Sequence, residues 1–302
     1  MKYTPFIFTA IISFLLTSCS YKPSIEELKK FAAVETYPED GYLDTVSNKK
    51  ALIIVAHDDD DCAMSGTIAK LKAEGWVIKQ LSFVAHKLND GSDGHPAGII
   101  CQGNELILED GFYRLGLDTI KYPYIPILKE QMEKQFLRKK ISKALLAEIN
   151  DFKPSVIFTL DNEMGTYGHP EHIFISQLVL DLFKLKGTGV QRIYQSVYTK
   201  HMQKEIIDTW LFNKMKKYGY QNPTEIAKKM YNIDGMPEPT VQVNISQFAE
   251  QKMLYLMSYP EKARKNLRKF IPYYEEFDAQ TYFAVFDREF YRVVEHELNN
   301  EN

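Results

Sequence analysis

The sequence predicts an α/β fold, a mostly parallel sheet with helices on both faces. Three observations predict it. Short continuous apolar runs, such as 51–56 and 156–160, have the character of strands buried on both sides. Segments with apolar residues at helical spacing stand between those runs. The two kinds alternate along the chain, which is the pattern of strand–helix–strand crossovers.

Taken in order, the run Ala51-Leu52-Ile53-Ile54-Val55-Ala56 is the first strand. Met64, Ile68 and Leu71 follow at helical spacing, and Gly75 closes that helix. Residues 77–84 read as the next strand and 106–113 as a helix. Leu137, Ile141, Leu145 and Ile149 recur every fourth residue and predict a long amphipathic helix, which ends before Pro154. Residues 156–160 are a further buried strand, Ile173 to Phe183 a helix and 193–198 a strand. Residues 201–238 are polar and lysine-rich and read as an irregular insertion or lid. Residues 241–245 suit a late strand and 247–257 a helix, while 282–294 fit either a strand or an amphipathic C-terminal element. Sheets of this kind bind ligands beyond the carboxyl ends of their strands, which directs attention to the residues after Ala56, Val84, Leu160 and Tyr198.

The chain has 302 residues, 45% hydrophobic, enough for a sizeable core. Its formal net charge of -3, with Lys and Arg scattered, argues against a nucleic-acid partner. Three cysteines with no Cys-x-x-Cys pair give neither a disulfide framework nor a thiolate metal site. Cys62 and Cys101 are expected to pack as small hydrophobes, with a bridge between them left open.

Two motifs stand at strand ends. The first strand runs into His57-Asp58-Asp59-Asp60-Asp61. Helix capping accounts for one or two of the four carboxylates; it does not account for a histidine and four acids together, which repel unless a cation sits among them. The strand ending at Leu160 is followed by Tyr167-Gly168-His169-Pro170-Glu171-His172. Pro170 suits the first position of a helix, and His169 and His172, three apart, can face one way. Parallel neighbours would deliver both motifs to one crevice. Nitrogen and oxygen ligands with a position left for water describe a catalytic zinc site.

The pair of motifs resembles the LmbE-like, or PIG-L-type, deacetylases, whose signatures are an apolar strand ending Ala-His-Pro-Asp-Asp-Glu and a later Gly-His-Pro-Asp-His. Gly235-Met236-Pro237, a Val-rich strand and the helix bearing Lys252 are similar to a third stretch of that family, so the likeness spans about 51–259. The resemblance implies a Rossmann-like three-layer sandwich. It implies zinc (Zn2+) ligands at His57, Asp60 and His172 and a general base at Asp59. It also implies His169 at the oxyanion or leaving amine, and Tyr167 beside the oxyanion. Asp58 stands where the family has Pro, Asp61 where it has Glu and Glu171 where it has Asp. Gln102, before Glu105, stands where the family carries an Arg that meets substrate. The loop 86–98, with Asn89, Asp90, Asp93 and His95, reads either as a pocket wall or as a polar turn.

Residues 5–16 form an apolar run too short for a bilayer span, which needs about 20 residues, but suited to a signal peptide. It ends Leu16-Thr17-Ser18-Cys19, which resembles the lipobox of bacterial lipoproteins. The expected layout is a signal peptide over 1–18, a tether over 19–48 and a deacetylase-like domain over 49–302 with the insertion at about 201–238. The expected product is an exported protein held on a bacterial membrane by a lipid on Cys19. The expected function is zinc-dependent removal of an acetyl or other acyl group from an N-acetylated sugar or glycoconjugate. A non-catalytic glycan-binding lipoprotein and a metal-dependent glycosyltransferase are the competing readings. The two imidazoles count against the second, since magnesium and manganese sites favour oxygen ligands.

Overall fold

The computed structural model describes residues 22–83, 126–136, 138–185, 188–217 and 219–295. The signal peptide, Cys19, the loop 86–98, the helix expected at 106–113, Gln102 with Glu105, and Cys101 lie outside the described residues.

Six strands form one sheet among those residues: β1 (Lys50–Ile54), β2 (Val77–Leu81), β3 (Val156–Leu160), β4 (Arg192–Ser196), β5 (Val241–Asn244) and β6 (Arg288–Glu295). Their order is β2-β1-β3-β4-β6-β5. The four strands from β2 to β4 run parallel, and β6 pairs antiparallel with both β4 and β5. Side-chain alternation divides the core in two. Ala51, Ile53, Val55, Val156 and Phe158 join one apolar cluster with Ile68, Leu71, Tyr255 and Phe283, from the helices Ser65–Ala73, Ala249–Ser258 and Ala279–Val285. Leu52, Ile54, Ala56, Ile157 and Ile193 join the other with Ile141, Leu145, Ile149, Ile173 and Leu178, from the helices Arg138–Phe152 and Pro170–Phe183. Full burial of each aliphatic side chain contributes about 1.5–3 kcal/mol, so β1 and β3 are firmly anchored. The chain leaves β1 toward β2 on one side and later returns as β3 on the other. The crevice between the carboxyl ends of β1 and β3 is therefore the switch point where such sheets bind ligands.

Three expectations need correction. The region 201–238 is not irregular. It is mostly helical, with wide π-type turns over Gln203–Leu211, regular turns over Phe212–Lys217 and a helix at Pro223–Tyr231. Its lysines mask an apolar stripe of Met202, Ile206, Leu211 and Met215, which is buried against Phe290 of β6. The segment 22–48, expected as a tether, lies packed on the domain. Leu28 and Leu43 are fully buried, and Gln242 of β5 donates its backbone N–H to Pro38 O and accepts one from Asp40, at 2.9 and 3.0 Å. The ambiguous stretch 282–294 is both things in turn: the helix Ala279–Val285 ends, and β6 begins three residues later. Among the described residues no helix is long and apolar enough to cross a membrane.

Glu289 of β6 ties the sheet to two helices. Its buried carboxylate accepts the backbone N–H groups of Gly66 and Thr67, at 2.8 and 2.7 Å, in the first turn of Ser65–Ala73. It also pairs with buried Lys252 from Ala249–Ser258. Removing one partner of a buried pair strands the other's charge. Glu289→Ala is expected to lower the unfolding free energy by about 3–5 kcal/mol in urea titration. Glu289→Gln, which keeps an acceptor for one N–H, should cost less.

Candidate metal centre

The loop after β3 is built around one carboxylate. Asp161, buried at the strand's end, accepts backbone N–H bonds from Glu163, Met164, Gly165 and Thr166 at 2.6–3.1 Å. These bonds hold a turn that the chain would otherwise resist. Thr166 sits at φ 69°, ψ -52°, close to the strained γ-turn region, at a cost of about 1–3 kcal/mol. Gly168 follows at φ +95°, where a Cβ would stand 2.5 Å from that of Ala227. The turn delivers His169 as the residue before the helix Pro170–Phe183, with Pro170 at its first position as expected.

His57, after β1, and His172, in the first turn of that helix, meet across the crevice. Their Nδ1 and Nε2 atoms are 3.0 Å apart, and Asp60 Oδ1 is 3.4 Å from the first and 3.2 Å from the second. Atoms bound tetrahedrally at the usual zinc distances of about 2.0–2.1 Å stand about 3.3 Å from one another. The triangle therefore has the size of one face of a zinc coordination tetrahedron.

The outer nitrogens fix the tautomers. His172 Nδ1 lies 3.1 Å from Gly165 O, a carbonyl that can only accept, so this nitrogen carries the proton. His57 Nε2 lies 2.7 Å from Glu171 Oε2, and donates to that carboxylate. In neutral rings the facing nitrogens are then both bare lone pairs, and only a shared proton or a cation reconciles them. Burial opposes a charge on His57, but the Asp60 and Glu171 carboxylates outweigh it and hold the imidazole well above its usual range. Burial likewise opposes ionisation of Asp60, yet the His172 and His57 imidazoles hold its carboxyl well below the usual range. A site this poised for positive charge, with an acceptor behind each imidazole, fits a zinc ion.

The four acids do not crowd one cation. Asp59 and Asp60 line the pocket, whereas Asp58 and Asp61 are fully buried. Asp61 accepts from the Tyr255 hydroxyl, whose oxygen lies 2.9 Å from that of Tyr259. Burial pushes its carboxyl well above the ordinary range, so Asp61 need not carry a charge. Tyr259 in turn donates to the Asp58 carbonyl at 3.4 Å. The acidic run is thus divided between a floor that packs and a surface that faces the cavity.

The remaining sequence candidates gather at the same place. Ligand atoms of His57, Asp59 and Asp60 lie within 4.8 Å of one another, as do those of His57, His169 and His172. The His169 ring stacks on His172 at 4.6 Å, and Tyr167 stands edge-on to His172 at 5.2 Å. Glu171 and Asp161 carry functions that residue spacing did not assign. The only sequence signals for them were the acid inside His-Pro-Glu-His and an acid directly after a buried strand. Cys62, a free thiol, also lines the pocket.

This geometry describes an α/β protein with a metal-ready centre at its switch point. Residues 52–183 match the model of the PIG-L family, described as GlcNAc-PI de-N-acetylase. No curated protein sequence matches the chain. Among solved structures, N,N'-diacetylchitobiose deacetylase from Pyrococcus horikoshii is 17% identical, with 82% of this chain and 85% of that one covered at a TM-score of 0.41. The zinc-inhibited form of teicoplanin deacetylase Orf2 is 11% identical, with 82% and 99% covered at 0.44. GalB, the 4-carboxy-2-hydroxymuconate hydratase from Pseudomonas putida KT2440, is 9% identical, with 84% and 99% covered at 0.42. At TM-scores below 0.5 none of these decides what this chain does.

Glu171→Gln is expected to weaken zinc binding 10–100-fold in competition with a chromophoric chelator, because the carboxylate behind the imidazole sets its tautomer and basicity. His172→Ala should abolish tight binding.

Proposed function

We propose that the chain is a zinc-dependent hydrolase that removes an acyl group from the nitrogen of an amino sugar or glycoconjugate. The single observation that carries this reading is the triangle of His57 Nδ1, Asp60 Oδ1 and His172 Nε2, 3.0–3.4 Å on each edge, beside a cavity. The family of residues 52–183 supports the choice of amide over other bonds.

Zinc held there would supply Lewis acidity and make water acidic near pH 7. The chain's own groups do the rest. Asp59 is next to a ligand in sequence and within 4.8 Å of it in space, and it takes a proton from the attacking water. His169, stacked on His172 and lining the cavity, is the group assigned to donate to the carbonyl oxygen as it gains charge or to the departing amine. Tyr167 closes the adjacent wall and orients the acyl group. The products are a carboxylic acid and a free amine.

The reading also takes residues 1–18 as a signal peptide and Cys19 as a lipidated residue that holds the exported protein on a bacterial membrane, on its periplasmic or cell-surface side. Cys19→Ser should then move the protein from the membrane fraction to the soluble one on cell fractionation.

The decisive experiment measures acid and amine release from N-acetylated sugars by the zinc-loaded protein, with and without a chelator. Turnover that a chelator stops supports the reading. Tight glycan binding without turnover would favour a binding protein instead. Asp59→Ala should reduce kcat by about 10²–10⁴-fold while zinc stays near one equivalent. Loss of zinc in that variant would mean that Asp59, not Asp60, holds the metal.

A further inference from the structure

Lysines that are scattered along the sequence gather on one face of the fold. The chain as a whole carries a formal net charge of -3, so a positive face needs its own account. Lys214 and Lys217 stand one turn apart in the helical turns Phe212–Lys217. Lys262, Lys265 and Lys269 follow the same spacing on and just beyond the helix Glu261–Leu267. The two rows meet at Trp210. Its indole N–H donates to the Arg268 carbonyl at 3.0 Å, and the Lys214 ammonium lies over its ring at 4.3 Å. Burial, and then the charges of Arg268, Lys217 and Lys269, hold the Lys214 ammonium below its usual range. The nearby acids are engaged elsewhere. Glu261 and Glu275 pair with Arg264 and Arg268, and Asp208 pairs with Lys228. Among the described residues, none of the five lysines has a carboxylate partner.

The start of the described chain lies beside this face. Phe31 stands edge-on to Trp210 at 5.3 Å and to Tyr273 at 6.1 Å. The Lys30 carbonyl accepts from His201 Nε2 at 2.9 Å, and Leu28 of the short helix Ile25–Lys29 is fully buried. The segment is therefore fixed to the helices that carry the lysines. Cys19 comes three residues before Lys22 and can stand no more than about 11 Å from it. A lipid on Cys19 would thus bring the face within reach of a bilayer. Unpaired like charges repel one another, and a surface of phosphate headgroups relieves that repulsion. Each lysine near an anionic bilayer surface strengthens binding about fivefold. We propose that the face of Lys214, Lys217, Lys262, Lys265 and Lys269 docks on the anionic phosphate headgroups of a bilayer, and so holds the domain down against the membrane. The proposal rests on the lipoprotein reading only for bringing Cys19 to a membrane; the charge complementarity stands without it.

The test uses the full zinc-loaded chain carrying Cys19→Ser, sedimented with vesicles of phosphatidylcholine alone or mixed with phosphatidylglycerol. The expected result is binding at least about tenfold tighter to the anionic vesicles, lost when added salt screens exposed charges. Lys217→Glu, Lys262→Glu and Lys265→Glu together, at three exposed positions, should reduce that preference at least about tenfold. Residues 1–18, where retained, are common to the protein and its variant, so the loss on substitution reads the face alone. If circular dichroism shows that the triple variant misfolds, Lys→Gln at the same three positions takes its place. Equal binding to both vesicles, or a preference that the substitutions leave unchanged, overturns the proposal. Binding to soluble dextran sulfate with no preference between vesicles gives the face to an anionic polymer and overturns it as well. Mass spectrometry of the wild-type protein separates this proposal from the reading it rests on. An anionic preference with no acyl group on Cys19 upholds the face and sinks the anchor; an acylated Cys19 with no preference sinks the face alone.

Discussion

Two imidazole nitrogens that face each other 3.0 Å apart, and need a proton or a metal cation between them, are the constraint on which the rest of this structure turns. Such a contact is repulsive unless something positive lies between the rings. Each ring is held in that state from behind, His172 by the Gly165 carbonyl and His57 by the Glu171 carboxylate. Asp60 completes the set from the first turn after β1. Neither ring can relieve the contact by changing tautomer without breaking its outer hydrogen bond. The arrangement is therefore held ready for a positive charge, a proton or a metal cation, between the rings.

The fold serves this constraint by placing two anchored strands side by side. β1 and β3 are parallel neighbours, and the chain departs from them in opposite directions across the sheet. The loops that leave them must meet at the crevice between. Asp161 then sets the path of the second loop with four backbone N–H bonds, which offset the unfavourable conformation at Thr166. Below the site, Asp61, Tyr255 and Tyr259 form a buried polar floor, and Glu289 with Lys252 fixes the helix that follows the acidic turn. The polar interior is thus spent on holding the two loops in position. The cavity they border is left largely to aliphatic and aromatic side chains.

Much of this was legible in the residues. The apolar runs gave β1 and β3 because strands buried on both faces have no polar face to hide. The His-Asp motif follows the first strand and the His-Pro-Glu-His motif follows the loop after β3, which is why their imidazoles meet across the crevice. The lysines of 201–238 hid a helical stripe, since Met202, Ile206, Leu211 and Met215 are spaced for burial while their neighbours are solvated. The packing of 22–48 was hard to read, because its buried side chains, Leu28, Leu43 and Val46, are few and widely spaced, and Pro38 and Asp40 bond to β5 through backbone groups, which any sequence can offer. The direction of the four aspartates was equally hidden: Asp58 and Asp61 turn inward and Asp59 and Asp60 outward because of the path of one turn, not because of residue type. Glu171 looked like a simple exchange of one acid for another, and its importance appears only when its oxygen is seen on His57.

The most direct measurement of the central claim is X-ray absorption at the zinc edge of the loaded protein. The account predicts a nitrogen and oxygen shell at about 2.0–2.1 Å with the outer scattering of two imidazoles and no sulfur. A sulfur neighbour at about 2.3 Å, which would bring in Cys62, or a shell with fewer than two imidazoles, would contradict it.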